Sequence, residues 1–289
     1  MGTERPSSQR VVAVDGHCDP RFGPLRDAFG ANFAERGEIG AAVCVMIDGH
    51  VVADLYGGWA DQARGRRWQP DTLVNMFSVG KGLVAACTAR LAGQGTLDLG
   101  ADVHIGLPAA EHDRVATFAW PGPPPAETEP PGLSAAQLME HNSYYNPGGL
   151  SGAGVINTSR WRAAESPSTN AHGTARGVAR VYAALIGQAR PAIVDPAALT
   201  EATAEQVYGQ DLVLHRPSRF GLGFQLTQPE RPIGPGRVTF GHFGAGGSLG
   251  FADPESGVGF GYVMNQMGPR WQNPRTRALV DAVYESLER

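Results

Sequence analysis

Asn75-Met76-Phe77-Ser78-Val79-Gly80-Lys81-Gly82-Leu83 is the stretch around which this chain is organised. Ser78 and Lys81 stand at the spacing S-x-x-K, at the expected start of a helix. Residues three apart share one helix face, which brings the Lys81 amine within reach of the Ser78 hydroxyl. A serine hydroxyl becomes a useful nucleophile when a base takes its proton, and a neutral lysine is such a base. The composition sharpens the reading, because Lys81 is the only lysine in the 289 residues. Every other strongly basic side chain is arginine, which keeps its proton in a protein, whereas a desolvated lysine shifts its pKa readily. The alternative is a capping serine beside a solvated lysine. Gly80 and Gly82 are poor helix formers. Their place beside Ser78 points to close backbone approach at a helix N-terminus, where free N–H groups and the dipole favour a developing anion over a lysinium.

Outward from this helix, which is expected to run to about Leu91, both ends of the chain supply strands and an amphipathic helix. On the N-terminal side, Phe22 to Arg36 has helical spacing and ends at Gly37. The apolar run Ala41–Ile47, the hairpin signal Asp48-Gly49 and the returning Val51–Tyr56 form an antiparallel pair. Asp61–Thr72 reads as a solvated loop. On the C-terminal side, strands are expected over Phe220–Leu226 and Val238–His242. A hairpin follows over Ser248–Ala252 and Val258–Met264, then a helix over about Pro274–Leu287. Between these ends lie a glycine-rich run from Gly93 to Gly106, a proline-rich loop over Pro121–Pro131 and a short helix over Leu133–His141 capped by Ser134. A polar, glycine-rich loop over Asn142–Asn157 and a helix over Thr174–Ile186 complete the middle, with His172 read as helping to cap the latter. The fold class is α/β of the α+β type, with one antiparallel sheet joining both chain ends, terminal helices on one face and the Ser78 helix across the other. Residues 1–20 read as a flexible leader and 21–289 as a single domain, with a helical and loop portion over about 78–200.

The bulk properties exclude several function classes. A net charge of −4 without basic or acidic blocks gives no reason to expect nucleic acid as a partner. No apolar run approaches the length of a membrane span. Cys18, Cys44 and Cys87 are too few and too irregular for a disulfide framework or a metal site. The reading is a cytoplasmic protein with no membrane partner. Glu111-His112-Asp113 carries metal-ligand residue types, but three adjacent residues do not face one ion in regular structure, so no metal or organic cofactor is implied.

With S-x-x-K on such a helix, the chain resembles the penicillin-binding serine hydrolases, which include class C β-lactamases, DD-peptidases and related esterases. The resemblance is carried by Gly40–Leu91 and by Phe220–Met267, centred on Gly241-His242-Phe243-Gly244-Ala245-Gly246-Gly247-Ser248. That second block looks like the family's third motif, K-T-G or H-x-G, on a strand facing the nucleophile. Asp102–Pro108 and Asn170–Ala175 look like the esterase branch. The resemblance implies Ser78 as the acylated nucleophile and Lys81 as its base. It further implies the Ser78 and Ala245 backbone N–H groups as an oxyanion hole, and His242, Phe243 and Gly244 along the substrate channel.

The family's middle motif, Y-x-N or S-x-N, belongs to a helical domain between the two blocks. Here Leu97–Ala101 runs almost directly into Asp102–Gly106, where relatives carry a long helical insertion. The chain therefore looks like the family scaffold with much of its helical domain, and the middle motif with it, missing. Tyr144 and Tyr145, next to Asn146, are the substitutes it offers, and His242 is a further acid–base candidate near neutral pH. On this basis β-lactam turnover is not expected as the main activity. The leading expectation is a serine hydrolase acting on a small-molecule ester or amide, with Asn146 and Trp120 among the substrate-binding residues. The open apolar side left by the missing domain makes a homo-oligomer a reasonable expectation. Two alternatives stay open. One is a non-hydrolytic biosynthetic enzyme of secondary metabolism running acyl transfer, cyclisation or isomerisation on a biosynthetic intermediate, in a dry pocket lined by Trp120, Tyr144, Tyr145 and Trp161. The other is an inactive binding protein.

Overall fold

The computed structural model describes residues 12–92, 103–121, 132–145, 152, 154–189 and 193–288. The junction at 97–102, the proline-rich loop past Pro121, and Asn146 lie outside them. In chain order the elements are β1 (Val14–Cys18), α1 (Gly23–Glu35), β2 (Gly40–Ile47), β3 (His50–Asp61), β4 (Arg66–Arg67), β5 (Val74–Phe77) and α2 (Val79–Ala92). Next come β6 (Val103–His104), α3 (Ala135–Tyr145), α4 (Ser159–Ala163), β7 (Ala171–Gly173), α5 (Ala175–Leu185) and α6 (Pro196–Thr203). The chain closes with β8 (Val207–Gln210), β9 (Pro217–Phe220), β10 (Gln225–Leu226), β11 (Phe240–Phe243), β12 (Leu249–Asp253), β13 (Val258–Met264) and α7 (Pro274–Glu288).

The main sheet is antiparallel, in the order β1-β3-β2-β13-β12-β11-β10-β9-β8, with β4 pairing off β3. Its centre is the seam between β13 and β2, where Tyr262 pairs with Val43 and Gly261 with Cys44. The two ends of the chain thus meet in one sheet, as the two-sided pattern requires. A small sheet, β5-β7-β6, stands beside it and feeds α2.

Side chains alternate across a strand, and β13 uses the alternation to separate two helical layers. A Cβ on Gly259 or Gly261 would lie 2.2–2.8 Å from α5 atoms, so these positions have to be glycine for the helix to lie against the sheet. Tyr262 points the other way and donates its hydroxyl to Glu38, which also accepts from Arg275 of α7 at 2.8 Å. On that side α1 and α7 pack together, through side chains such as Leu25, Phe29, Leu279 and Val283, all 0% exposed. Each such burial contributes about 1.5–3 kcal/mol. α2 lies on the α5 side, where a Gly82 Cβ would lie 2.3 Å from the Tyr182 hydroxyl.

Several expectations need correction. Val14–Cys18, inside the stretch expected as a flexible leader, is a strand along β3. Arg66–Arg67, expected in a loop, pairs with β3, and the Arg67 guanidinium lies 3.8 Å from the Trp59 ring centre. The single strand expected over Phe220–Leu226 is two, because the Gly221 N–H turns back to the Phe224 carbonyl at 3.0 Å and β10 returns antiparallel to β9. α3 carries Tyr144 and Tyr145, expected in a loop. Its start is reciprocally capped by Ser134 and Gln137, at 3.0 and 3.3 Å. His172 does not cap α5: Thr174 does, accepting the Gly177 N–H at 3.0 Å.

Candidate active site

β5 delivers the chain into α2 through one strained residue. Phe77 has φ near +50°, a left-handed conformation that costs a bulky side chain about 1–3 kcal/mol. The surrounding packing holds it there, with its ring edge-on to Phe118 at 5.1 Å. Ser78 follows at the helix entrance, and its carbonyl accepts the Lys81 N–H at 3.0 Å. Lys81 Nζ lies 2.8 Å from Ser78 Oγ and 2.9 Å from the Ser168 carbonyl oxygen. Desolvation by the surrounding protein lowers the Lys81 pKa from its ordinary value, although the side chain keeps an exposed flank.

The Ser168 carbonyl is positioned by two buried asparagines. With its amide turned to satisfy its surroundings, Asn75 donates to the Thr169 and Ala171 carbonyls at 3.0 and 3.2 Å. Asn170 accepts the Ser166 N–H at 3.0 Å and donates to the Trp161 carbonyl at 3.0 Å and to that of Ala164. The glycines of the S-x-x-K stretch serve the same closeness. A Cβ on Gly80 would stand 2.8 Å from the Pro167 carbonyl, and one on Gly82 would stand 3.2 Å from the His242 Cβ.

Ser78 and Lys81 open into a cavity of about 470 Å³, within the usual range for small-ligand sites. Tyr144 from α3 lines it, as do His242 and Phe243 from β11 and Gly244 and Ala245 just beyond. Seven of the expected site residues therefore surround one space. Tyr145 is the last residue of α3, and Asn146 lies outside the described residues. Trp120 does not line the cavity: it packs edge-on to Phe118 at 5.1 Å. Trp161 is buried in the core.

The expected missing middle motif is overturned by the residues themselves. Tyr144-Tyr145-Asn146 has the Y-x-N spacing, and its first tyrosine lines the cavity. His242 needs the opposite correction. Burial, with Lys81 and Arg231 nearby, depresses its pKa to about 3, while a hydrogen bond of 2.8 Å between Nδ1 and the Phe243 carbonyl opposes the shift. The imidazole is therefore neutral at physiological pH and poorly suited to acid–base work there.

Other lining residues carried no sequence signal. Arg216, Arg231 and Arg270 all face the cavity, yet each sits in a polar or proline-rich segment that reads as an exposed loop. Ser168 acts through its carbonyl, which side-chain patterns do not reveal. Gln225 supports the third motif, accepting the Phe243 N–H at 2.9 Å. Glu111 pairs with Arg114, the His112 ring meets the Leu107 carbonyl, and among the described residues no acidic, histidine and cysteine cluster is arranged for a metal. No helix among them is long and apolar enough to cross a membrane.

The chain is similar to known proteins over nearly its whole length. The esterase/beta-lactamase LipL of Mycobacterium tuberculosis is 26% identical over 88% of this chain and 83% of its own length. The crystal structure of a family VIII carboxylesterase superposes with a TM-score of 0.83 and 27% identity, covering 95% of this chain and 100% of that one. A penicillin-binding protein homolog from Caulobacter crescentus gives a TM-score of 0.81 and 28% identity, with 95% and 100% covered. The Beta-lactamase family profile matches two overlapping segments, 25–153 and 100–285. With the S-x-x-K helix entering from a strained strand end and the Gly241–Ser248 block facing it across one cavity, the chain belongs to the beta-lactamase family.

Proposed function

We propose that this protein is a serine hydrolase of the esterase or amidase type. The observation that carries the reading is the 2.8 Å approach of Lys81 Nζ to Ser78 Oγ on the wall of an open cavity. Relatives named as an esterase/beta-lactamase and a carboxylesterase support it. Neutral Lys81 accepts the Ser78 proton as Oγ attacks the substrate carbonyl, while the amine donates to the Ser168 carbonyl and stays oriented. The backbone N–H groups of Ser78 and Ala245 meet the oxyanion, a contribution of about 3–4 kcal/mol per donor in comparable sites. Collapse breaks the acyl C–O or C–N bond, and the leaving group takes the proton held by the lysinium, directly or through the Tyr144 hydroxyl, which gives up its own proton and regains one from the lysinium. Water then attacks the acyl-enzyme and gives one proton to Lys81 as it adds; that proton passes to Ser78 Oγ as the acyl C–O bond breaks, and the other leaves with the carboxylic acid product.

Access of water favours hydrolysis over chemistry that needs a dry pocket. Lys81 keeps an exposed flank, and of the aromatics expected to enclose such a pocket Tyr144 lines the cavity while Trp120 and Trp161 do not. The ground for excluding β-lactam turnover was a missing Y-x-N motif, and that ground falls with Tyr144-Tyr145-Asn146 in place. A cephalosporin reporter therefore belongs in the substrate panel.

Incubation with a fluorophosphonate, followed by intact-mass spectrometry and peptide mapping, should place one adduct on Ser78 and none in Ser78→Ala. Hydrolysis of a short-chain p-nitrophenyl ester should fall to background in the same variant. A wild-type protein that forms no adduct and turns over no ester overturns the reading.

Tyr144→Phe tests the proton relay. Its kcat on an alkyl ester, whose alkoxide needs a proton, should fall by about 100-fold. On a p-nitrophenyl ester, whose phenolate leaves unaided, the loss should be much smaller. Equal losses on both would remove Tyr144 from the leaving-group step.

A further inference from the structure

α3 brings Tyr144 to the cavity, yet the helix has no buried face of its own. None of its side chains from Ala135 to Tyr144 is buried, and Met139 is 52% exposed. A helix normally owes its position to an apolar face packed in a core. Proton transfer needs a hydrogen-bond distance between the relay and the reacting group, and a misplacement of about 1 Å is costly. The tyrosine therefore needs a restraint from outside its helix. Arg270 supplies one: its guanidinium carbon lies 3.9 Å from the centre of the Tyr144 ring.

Arg270 is presented from a fixed base, the segment that joins β13 to α7. Its carbonyl accepts Arg231 Nη2 at 3.1 Å. The Pro269 carbonyl accepts Asn273 Nδ2 at 3.2 Å, and the Gly268 N–H donates to the Gly246 carbonyl at 3.1 Å. Gly246 belongs to the turn that follows Ala245. One short segment thus holds the turn beside the proposed oxyanion donor through its backbone, and the Tyr144 ring through the Arg270 side chain. A guanidinium stacked on a ring face restrains the tilt and height of the ring without covering the hydroxyl at its rim.

We propose that Arg270 is a positioning residue for Tyr144. Its guanidinium clasps the phenol ring, holds the C-terminal end of α3 against the body of the protein, and keeps the hydroxyl on the leaving-group side of the Ser78 cavity. This rests on the hydrolase reading above and on the relay given there to Tyr144, and it deepens both. Arg270 acts through the tyrosine and takes no part in making or breaking bonds.

Ethyl butyrate and p-nitrophenyl butyrate form the same acyl-enzyme and differ in the leaving group alone. Arg270→Met should lower kcat/KM for the ethyl ester by about 10-fold, within the roughly 2- to 30-fold range to which one cation–π contact converts. The p-nitrophenyl ester, whose phenolate leaves without a proton, should lose much less. Arg270→Lys keeps the charge without the planar stack and should restore part of the loss. Tyr144→Phe keeps the ring under the guanidinium but removes the hydroxyl, so adding Arg270→Met to it should cost the ethyl ester little more. A loss that persists in full in the Tyr144→Phe background would mean that Arg270 acts on the substrate or on the fold at large, and overturns the proposal.

Replacing Tyr144 with 3-fluorotyrosine in Ser78→Ala reads the ring without turnover. Its fluorine resonance should be single and narrow, should broaden or split when Arg270→Met is added, and should sharpen in part with Arg270→Lys instead. A failed nucleophile would leave every ester unhydrolysed while the fluorine signal still depends on Arg270. A failed clasp would leave hydrolysis intact, with the ethyl-to-aryl ratio and the fluorine signal both unchanged by Arg270→Met. That second result overturns the proposal.

Discussion

Lys81→Met should lower ester turnover by about 10²- to 10⁴-fold, the usual contribution of a positioned general base, and leave the protein folded. Nζ lies 2.8 Å from Ser78 Oγ and 2.9 Å from the Ser168 carbonyl, so in the proposed mechanism the amine has one proton-accepting task and one anchoring donor bond. Methionine keeps the unbranched length of the side chain and removes both. Lys81→Arg separates charge from basicity, because arginine supplies the cation but does not give up its proton. It should be as inactive as Lys81→Met if the lysine acts as a base, and clearly more active if a positive charge is all that is needed.

The pH profile carries the sign. In the proposed mechanism the working form of Lys81 is neutral, and desolvation lowers its pKa. Activity should therefore rise with pH along a limb lying below the ordinary lysine value of about 10.4, and that limb should vanish in both variants. Unchanged thermal melting would show that the loss is chemical. A profile whose ascending limb survives in Lys81→Met would assign the titration to another group.

The second large effect is expected far from the Ser78 helix. Arg275→Met should destabilise the protein by about 3–5 kcal/mol, the usual consequence of removing one partner from a buried ion pair. The Arg275 and Glu38 side chains are 3% and 0% exposed and meet at 2.8 Å. Glu38 accepts a second bond from the Tyr262 hydroxyl. Burial raises the Glu38 pKa from its ordinary 4.5 to about 7 despite the arginine, and losing Arg275 removes the main opposing influence.

A folded-state pKa above the unfolded value means that the folded protein holds the proton more tightly. The stability linked to this group is fully present below pH 4.5 and is lost as pH rises through about 7. Denaturant midpoints should accordingly show a smaller loss for Arg275→Met at pH 5 than at pH 8, and Glu38→Gln/Arg275→Met should recover part of it. Equal losses at both pH values would place the effect in packing alone.

The same substitution should also reach the active site. Arg275 Nη2 donates to the Gly246 and Gln266 carbonyls at 3.1 and 2.9 Å. Asn273 adds a bond to Gly246 at 2.8 Å, and Thr276 a bond to Gly247 at 2.6 Å. The start of α7 thus braces the turn that follows Ala245. A fall in kcat at near-constant KM, measured on the folded fraction at pH 5, is the signature expected of a displaced oxyanion donor.

Much of the fold was legible in local patterns. Alternation and turn residues marked β2, β3, β12 and β13, and helical periodicity marked α1, α5 and α7. Those patterns record burial of one face of each element. Patterns misled where long-range pairing overrode local preference. Val14–Cys18 carries no strong strand signal and is ordered by its register along β3, Val14 against Gly57 through Cys18 against Ala53. Phe220–Leu226 is apolar enough for one strand, but the turn closed by Gly221 and Phe224 folds it back on itself. The Y-x-N spacing at 144–146 stood in the open.

The sequence by itself determined the groupings that depend on residues close along the chain. A lone lysine three positions from a serine, with glycines between and after, sets an amine and a hydroxyl together on one helical turn, because helix geometry allows little else. The tertiary structure alone decided what surrounds that pair. It brought the Ser168 carbonyl onto Lys81 from 87 residues away, through asparagines whose amides satisfy backbone groups of a distant loop. It silenced His242 by burial, and it turned arginines from three unremarkable loops into one wall of the cavity. Desolvation and convergence are properties of packing, and no local spacing encodes them.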